Sequence, residues 1–262
     1  MDELAGGIRR VTLPLPTRPG HVHAYLLPGE DGWIVVDTGV GRPEAKEHWA
    51  SELERAGGPV AAIFVTHFHP DHVGAAADLH ELTGAPVYQG ALDYAQCELV
   101  WGNPAWSERL VDWFRLQGTP DDVTAELVGQ SSLYRPFIRY QRDPILMEAG
   151  ERLDGWELVA AAGHADGQLC LLKDGVLVAA DHVLDRITPT VGLWPACRPD
   201  PLGDYLEALD RTLELAPHVA LPGHGDLVGD PAGRVRELRP GGLARATALF
   251  TTPIPPYCPE GF

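Results

Sequence analysis

The chain has 262 residues, 45% of them apolar, and carries 37 Asp and Glu against 20 Lys and Arg, a formal net charge of −17. An acidic surface of this kind repels phosphate backbones and argues against a nucleic-acid partner. No apolar run approaches membrane-spanning length, which argues against a membrane partner, while the apolar content suffices for the core of one large domain over 1–262. Cys97, Cys170, Cys197 and Cys258 show no CxxC spacing and read as reduced, structural thiols. The start Met1-Asp2-Glu3-Leu4, neither basic nor apolar, predicts a cytoplasmic protein.

Short strands are expected near Ile8–Leu15, Val22–Leu27 and Trp33–Asp37, then a helix from Pro43 to Ala56, punctuated by proline at its start and Gly57-Gly58 at its end. The apolar run Ala61 to Val65 reads as a strand, Val73–Leu82 as a helix and Pro86–Tyr88 as a strand. From about 91 to 144 the rhythm changes to helical stretches, Ala91–Trp101, Pro104–Leu116 and Pro120–Gly129. A second strand set spans Glu151–Ala180, with Asp154-Gly155 and Asp174-Gly175 suited to tight hairpins. A helix over Asp200–Leu215, a strand over Val219–Leu221 and a helix over Pro231–Leu238 follow, before a tail rich in glycine and proline that cannot continue a long helix.

The densest chemistry lies in His67-Phe68-His69-Pro70-Asp71-His72, directly after the strand ending at Val65. Neutral imidazoles and carboxylates suit zinc, iron or manganese. On extended backbone His67 and His69 share a side and could chelate one ion, while Asp71 and His72, on the turn that follows, face a neighbouring position; the pattern reads as a site for two metals. Further candidates stand where other apolar strands run out: His164 after Leu158–Ala162, Asp181 after Val176–Ala180, and His224 in Pro222-Gly223-His224-Gly225. Strand ends on one sheet edge are where a rigid scaffold presents function.

In this order the motifs resemble the metallo-β-lactamase fold superfamily, over nearly the whole chain: Asp37 ending an early strand, the HxHxDH loop at 67–72, His164, Asp181 and His224. The resemblance implies an α/β (α+β) fold, a four-layer αββα sandwich with metals at one edge and a helical cap inserted at about 91–144 that shapes the substrate site. It implies that His67, His69 and His164 bind one metal, that Asp71, His72 and His224 bind a second, and that Asp181 bridges them. Asp37 would hold the metal loop by hydrogen bonds without itself binding metal. The β-lactamases of this fold lack a bridging carboxylate, and flavodiiron members replace the second loop histidine with Glu; Asp181 and His69 therefore disfavour both activities.

The expected chemistry is hydrolysis of a small acyl substrate, a thioester or ester, by hydroxide formed between two divalent metals, zinc foremost, with iron or manganese acceptable, and with Asp71 moving the proton to the leaving group. Glyoxalase II is the nearest class, although its glutathione-binding residues have no match here. An acyl-lactonase uses the same ligands. A persulfide dioxygenase would hold one iron and make His72 and His224 non-ligands. In the cap, Tyr94, Tyr134 and Tyr140 are candidate oxyanion donors, and Arg135, Arg139 and Arg142 candidate contacts for a substrate anion. His21 and His23 share one face of a strand expected to run beneath the site, and 185–195 reads as a loop closing the pocket rim. The pattern leaves a homodimer open.

Overall fold

The computed structural model describes residues 1–239. The first sheet has the order β1-β2-β3-β4-β5-β6-β7. Its strands are β1 (Asp2–Glu3), β2 (Arg9–Pro14), β3 (His21–Pro28), β4 (Trp33–Val36), β5 (Val60–Val65), β6 (Val87–Gly90) and β7 (Ile145–Met147). The second sheet consists of β8 (Arg152–Leu153), β9 (Trp156–Ala160), β10 (Leu169–Lys173), β11 (Val176–Ala180) and β12 (Val219–Pro222), in the order β12-β11-β10-β9-β8.

Period-two alternation sorts the strand side chains into layers. Tyr25, Leu27, Ile34, Val36, Ala62 and Phe64 of the first sheet pack against Trp156, Leu158, Leu169, Leu171, Val178 and Leu221 of the second. The residues between them face outward. Val22, Ala24, Leu26, Val35, Ile63 and Val65 meet Trp49 of helix α1 (Pro43–Ala56) and Leu79, which lies in a helix over Ala76–Thr83. Cys170, Leu177, Ala179 and Ala220 meet Tyr205 and Leu209 of a helix over Pro201–Leu215, with Val235 and Leu238 of the helical segment 231–239. The result is helix, sheet, sheet, helix, as expected. Both faces of each sheet are covered, so the central strands are apolar throughout, each fully buried Leu, Ile or Phe adding roughly 1.5–3 kcal/mol.

Parallel pairing sets the functional edge. β4 and β5 run parallel with Val36 opposite Phe64, so Asp37 and Thr66-His67 emerge together. β11 and β12 are also parallel, with Ala180 opposite Pro222, which brings out Asp181 beside Gly223-His224. Cross-sheet bonds fasten the two edges: Tyr25 Oη donates to Pro222 O (2.7 Å), His23 N to Gly223 O (2.7 Å) and Leu169 N to Thr66 O (3.1 Å).

Two helices depart from expectation. The helix expected over 73–82 is broken into α2 (Pro70–Val73) and α3 (Ala76–Thr83). At the break, Ala75 N donates to Gly39 O and Arg139 N donates to Gly74 O, and a Cβ at Gly74 would strike the backbone of Pro70 and Gly39. Between β6 and β7 stand α4 (Ala91–Val100), α5 (Trp106–Leu116) and α6 (Asp121–Tyr134). α6 runs past Gly129, the end expected from sequence, because nothing there opposes continuing and a single glycine is tolerated in a helix. Val100, Trp106 and Leu110 form a small core for these helices, with Phe68 packed against it. The remaining helix, over Pro201–Leu215, is α7, capped by the Asp200 carboxylate on Gly203 N. Both hairpin turns have the backbone expected of Asp-Gly pairs, with φ of 48° and 80° at Asp154-Gly155 and 49° and 75° at Asp174-Gly175. Cys258 and the proline-rich tail lie outside the described residues.

Candidate metal centre

The metal loop is clamped at its middle. Phe68 N donates to the carboxylate of Asp93 (3.0 Å), and Phe68 O accepts from the Trp101 indole (2.7 Å). With the backbone between them fixed, the rings of His67 and His69 lie 4.8 Å apart, and His164 comes to 5.1 Å and 4.4 Å from them. His69 Nδ1 and His164 Nε2 are 2.8 Å apart. On the other side, Asp181 offers both oxygens: Oδ2 lies 3.4 Å from the Nε2 atoms of His164 and His224, and Oδ1 lies 3.6 Å from His72 Nε2. Asp71 Oδ2 is 3.3 Å from His224 Nε2 and 3.8 Å from His72 Nε2. The seven residues expected from sequence therefore fall into overlapping groups able to hold ions: His67, His69 and His164; His67, His72 and Asp181; Asp71, His72 and His224.

The chemistry of the donors fits divalent metal. Four imidazoles are oriented by a bond at the nitrogen facing away from the centre, the arrangement that fixes a metal-binding tautomer. His72 Nδ1 donates to Asp37 Oδ2 (2.7 Å), His164 Nδ1 to Thr190 O (2.8 Å) and His224 Nδ1 to His21 O (2.7 Å). The Thr66 hydroxyl gives its proton to Asp37 and so accepts from His67 Nδ1 (2.9 Å). Each Nε2 then faces inward, where it has a lone pair for metal once it carries no proton. His67 Nε2, His72 Nε2 and Asp181 Oδ1 are buried without a protein partner. Buried polar atoms are rarely left so, and a cation between them would satisfy all three. Asp37 has the supporting place expected of it, at φ 63°, its Oδ1 also accepting from Thr66 N (2.8 Å).

Charge is unevenly shared in the metal-free chain. Burial pushes the His67 imidazole well below its ordinary range and His69 down to about 3, and it also lowers His164. Burial opposes charge on His72 and His224 as well, but Asp37, Asp71 and Asp181 outweigh it around His72, which is raised well above 6.5. Hydrogen bonds to Asp181 and Asp71 likewise lift His224 to about 10. The carboxylates move the opposite way: despite burial, the neighbouring imidazoles hold Asp181 well below its ordinary value and lower Asp71. Without metal, protons supply the positive charge that the carboxylates require.

A cavity of about 320 Å³ opens beside His69 and His164, between the cap and the loop carrying Trp194 and Pro195; of the segment 185–195 expected at the rim, Gly192, Trp194 and Pro195 line it, while Asp185, Arg186 and Ile187 line a separate hollow with His21 and His224. Of the cap candidates only Tyr134 lines the cavity, its hydroxyl bonded to Thr17 (2.5 Å). The expectation for the others is corrected: Tyr94 and Tyr140 both donate to Glu98 (3.0 and 2.8 Å), Arg135 bonds the carbonyls of Val100 and Trp101, Arg139 pairs with Asp78 and Glu81, and Arg142 lies over the Tyr140 ring. Tyr94 on α4 and the residues of the segment 135–142 that follows α6 are thus engaged with the protein itself. His21 and His23 fasten the last loop, since Gly225 N donates to His21 Nε2 (3.1 Å) and His23 Nε2 donates to Gly225 O (2.9 Å). Asp93 went unread in the sequence because an Asp in the first turn of a helix is ordinary there; buried, it is pushed up to about 7.

The model of the metallo-beta-lactamase superfamily matches residues 17–224, which include every residue of the centre. Among known proteins, "Probable metallo-hydrolase YqjP" of Bacillus subtilis is 26% identical over 82% of this chain and 70% of its own length. Other curated relatives are matched over little more than half of theirs. In structure, the metallo-beta-lactamase family protein TTHA1429 from Thermus thermophilus superposes with a TM-score of 0.82 at 32% identity, over 93% of this chain and 81% of that one. TTHA1623, solved in a di-iron-bound form, superposes with a TM-score of 0.60 at 26% identity, over 87% of this chain and 99% of that one. Ligand order, the paired sheet edges and these likenesses agree, and the chain belongs to the metallo-beta-lactamase superfamily.

Proposed function

We propose that the protein is a dinuclear hydrolase that cleaves the thioester or ester bond of a small acyl substrate. The observation that carries this reading is the meeting of two ligand sets around Asp181, whose oxygens lie within 3.6 Å of imidazole nitrogens from both. His67, His69 and His164 would hold one ion, Asp71, His72 and His224 the other, and Asp181 both; zinc is the first choice, and iron or manganese suit the same donors. Two such ions, when bound, supply a nucleophile at neutral pH and a Lewis acid for the acyl oxygen.

The residues of the chain do the rest. Asp71 is the more open of the two carboxylates, 20% exposed against 9% for Asp181, and would pass a proton to the leaving group at the oxygen not turned to His72 and His224. The apolar wall of the cavity keeps bulk water from the reacting carbon. The Tyr134 hydroxyl, turning from Thr17, would donate to the tetrahedral oxyanion. A one-iron persulfide dioxygenase would use neither His72 nor His224, although both lie against the Asp71 and Asp181 carboxylates as a second ligand set would. We place the enzyme in the cytoplasm, acting on a small molecule, with neither nucleic acid nor membrane as partner.

The experiment is a panel of acyl thioesters, esters and lactones assayed with the wild type and Asp181→Ala. Hydrolysis of a thioester or ester that disappears in the variant, with metal lost and the circular-dichroism spectrum kept, is expected. A variant of undiminished activity would refute the bridging role, and turnover confined to lactones would move the substrate to that class.

A further inference from the structure

The cavity beside His69 and His164 touches one side of the metal centre. Those two residues of the first ligand set lie in its wall, whereas Asp71, His72 and His224 of the second set do not. His224 lines instead the separate hollow, whose walls include Arg10, His21, Arg186 and Asp226. A substrate with its carbonyl at the metals can place one arm in the cavity and the other on the side of Asp71. The proton assigned to Asp71 goes to the departing group. The departing arm is then the outer one, and the acyl arm is the one in the cavity.

Phe68, Trp101, Trp106, Leu110, Phe114 and Trp194 supply much of the remaining wall, and no Lys or Arg among the described residues lines it. Three polar side chains of the wall are engaged with the protein: the Trp101 indole N–H donates to Phe68 O (2.7 Å), the Tyr134 hydroxyl is bonded to Thr17 (2.5 Å), and Asp166 Oδ2 accepts from Gln96 Nε2 and Arg198 N (both 2.8 Å). Ions held by His69 and His164 would attract a carbonyl or a carboxylate to their own end of the cavity. The aromatic and aliphatic remainder offers a ligand no such partner, so burial of methylenes there is favourable and burial of an unpaired polar group is costly. Leu127 and Trp194, both in the wall, are 37% and 41% exposed, so the apolar surface runs out to solvent at the cap and the rim loop.

We infer that the cavity holds the acyl arm of the substrate and that this arm is an apolar chain of up to about ten non-hydrogen atoms, the number that fills about 320 Å³ at roughly 30 Å³ for an atom the size of a water or a methylene. The leaving group stays outside, on the side of Asp71. The assignment of the acyl arm rests on the hydrolase reading above. The apolar subsite itself can be tested without turnover.

The probes are the even-numbered 2-alkanones from 2-hexanone to 2-dodecanone, which carry a carbonyl but no leaving group, titrated calorimetrically into the full chain as purified. Each added methylene should tighten binding about fourfold up to 2-decanone, with an increasingly negative heat-capacity change, and about twofold at most should be gained beyond it. An ether oxygen in place of a mid-chain methylene should weaken binding about fivefold or more. A Cβ at Gly192, in the wall, would stand 3.5–3.9 Å from the Trp194 ring, an ordinary contact. Gly192→Leu therefore fills part of the cavity and should weaken the longer ketones about tenfold, the loss of one to two methylenes. Leu127→Glu, at the exposed rim, repeats the test should the first variant misfold. Affinity that does not change with chain length, or a length dependence untouched by both substitutions, would overturn the subsite.

The orientation is read from kcat/KM for two series of thioesters, one lengthened in the acyl chain and one in the thiol. It should rise with the acyl chain and not with the thiol; a rise with the thiol instead would reverse the arms and overturn the assignment. If the ketones bind as expected and neither series is hydrolysed, the reaction assigned above is wrong and the apolar subsite stands.

Discussion

Replacing Asp37 with Asn should weaken the hold on one of the two ions proposed above while leaving the fold in place. Asp37 sits at φ 63°, a conformation Asn adopts more readily than other side chains bearing a Cβ, so the backbone has no reason to move. The carboxylate accepts from Thr66 N (2.8 Å) and the Thr66 hydroxyl, and from His72 Nδ1 (2.7 Å). An asparagine oxygen can keep the Thr66 N bond, but its NH2 then faces His72 Nδ1, donor against donor. The imidazole is relieved by moving its proton to Nε2, the atom that faces Asp181, and in that tautomer it has no lone pair for metal. Loss of such an orienting partner weakens metal affinity about 10–100-fold, roughly 1.4–2.8 kcal/mol. Competition with a chromophoric chelator would resolve two affinities, and only one of them should move by that factor. Unchanged affinity for both ions would show that Asp37 does not set the tautomer of His72.

Gly223→Ala should lower metal occupancy by elemental analysis, because the added Cβ collides with Asp181 Oδ1 and comes to 2.9 Å from His72 Cε1; normal occupancy would show that the centre gives way at no cost. Metal uptake at pH 7 should release about two protons per chain from His72, which is raised, and His224, raised to about 10 without metal, and up to one more from metal-bound water, read by an indicator dye in weak buffer. The sign for stability follows: the contribution of His224 to the metal-free fold is full below about 6.5 and is lost as pH climbs through about 10, so uptake without proton release would contradict the charge state described. Tyr134→Phe should reduce kcat by roughly 10²–10³ with KM little changed if the phenol donates to the oxyanion, and unaltered turnover would remove it from the mechanism.

The candidate ligands were legible as a group because they follow apolar strands, and the parallel pairs β4–β5 and β11–β12 carry the loop 67–72, Asp181 and His224 to one edge, where His164 joins them after β9. Local turn chemistry at Asp154-Gly155 and Asp174-Gly175, and proline and glycine at the ends of α1, could also be read directly. Features set by distant partners could not. The break between α2 and α3 is imposed by the Gly39 carbonyl and the Arg139 amide, more than thirty residues away in either direction. In the cap, helical periodicity does not say which face meets the cavity, and Tyr94 on α4 turned to Glu98 while Tyr134 at the end of α6 reached the cavity. Asp93 and Gln96 on α4 gain meaning only from what the fold lays against them, Phe68 N and Asp166.

Two ions held around Asp181 is the central claim, and elemental analysis of the purified full chain, with oxygen uptake followed in parallel, tests it most directly. About two metal ions per chain, and no oxygen consumed when a persulfide is supplied, is the predicted result. One iron per chain with oxygen consumed on the persulfide would contradict it.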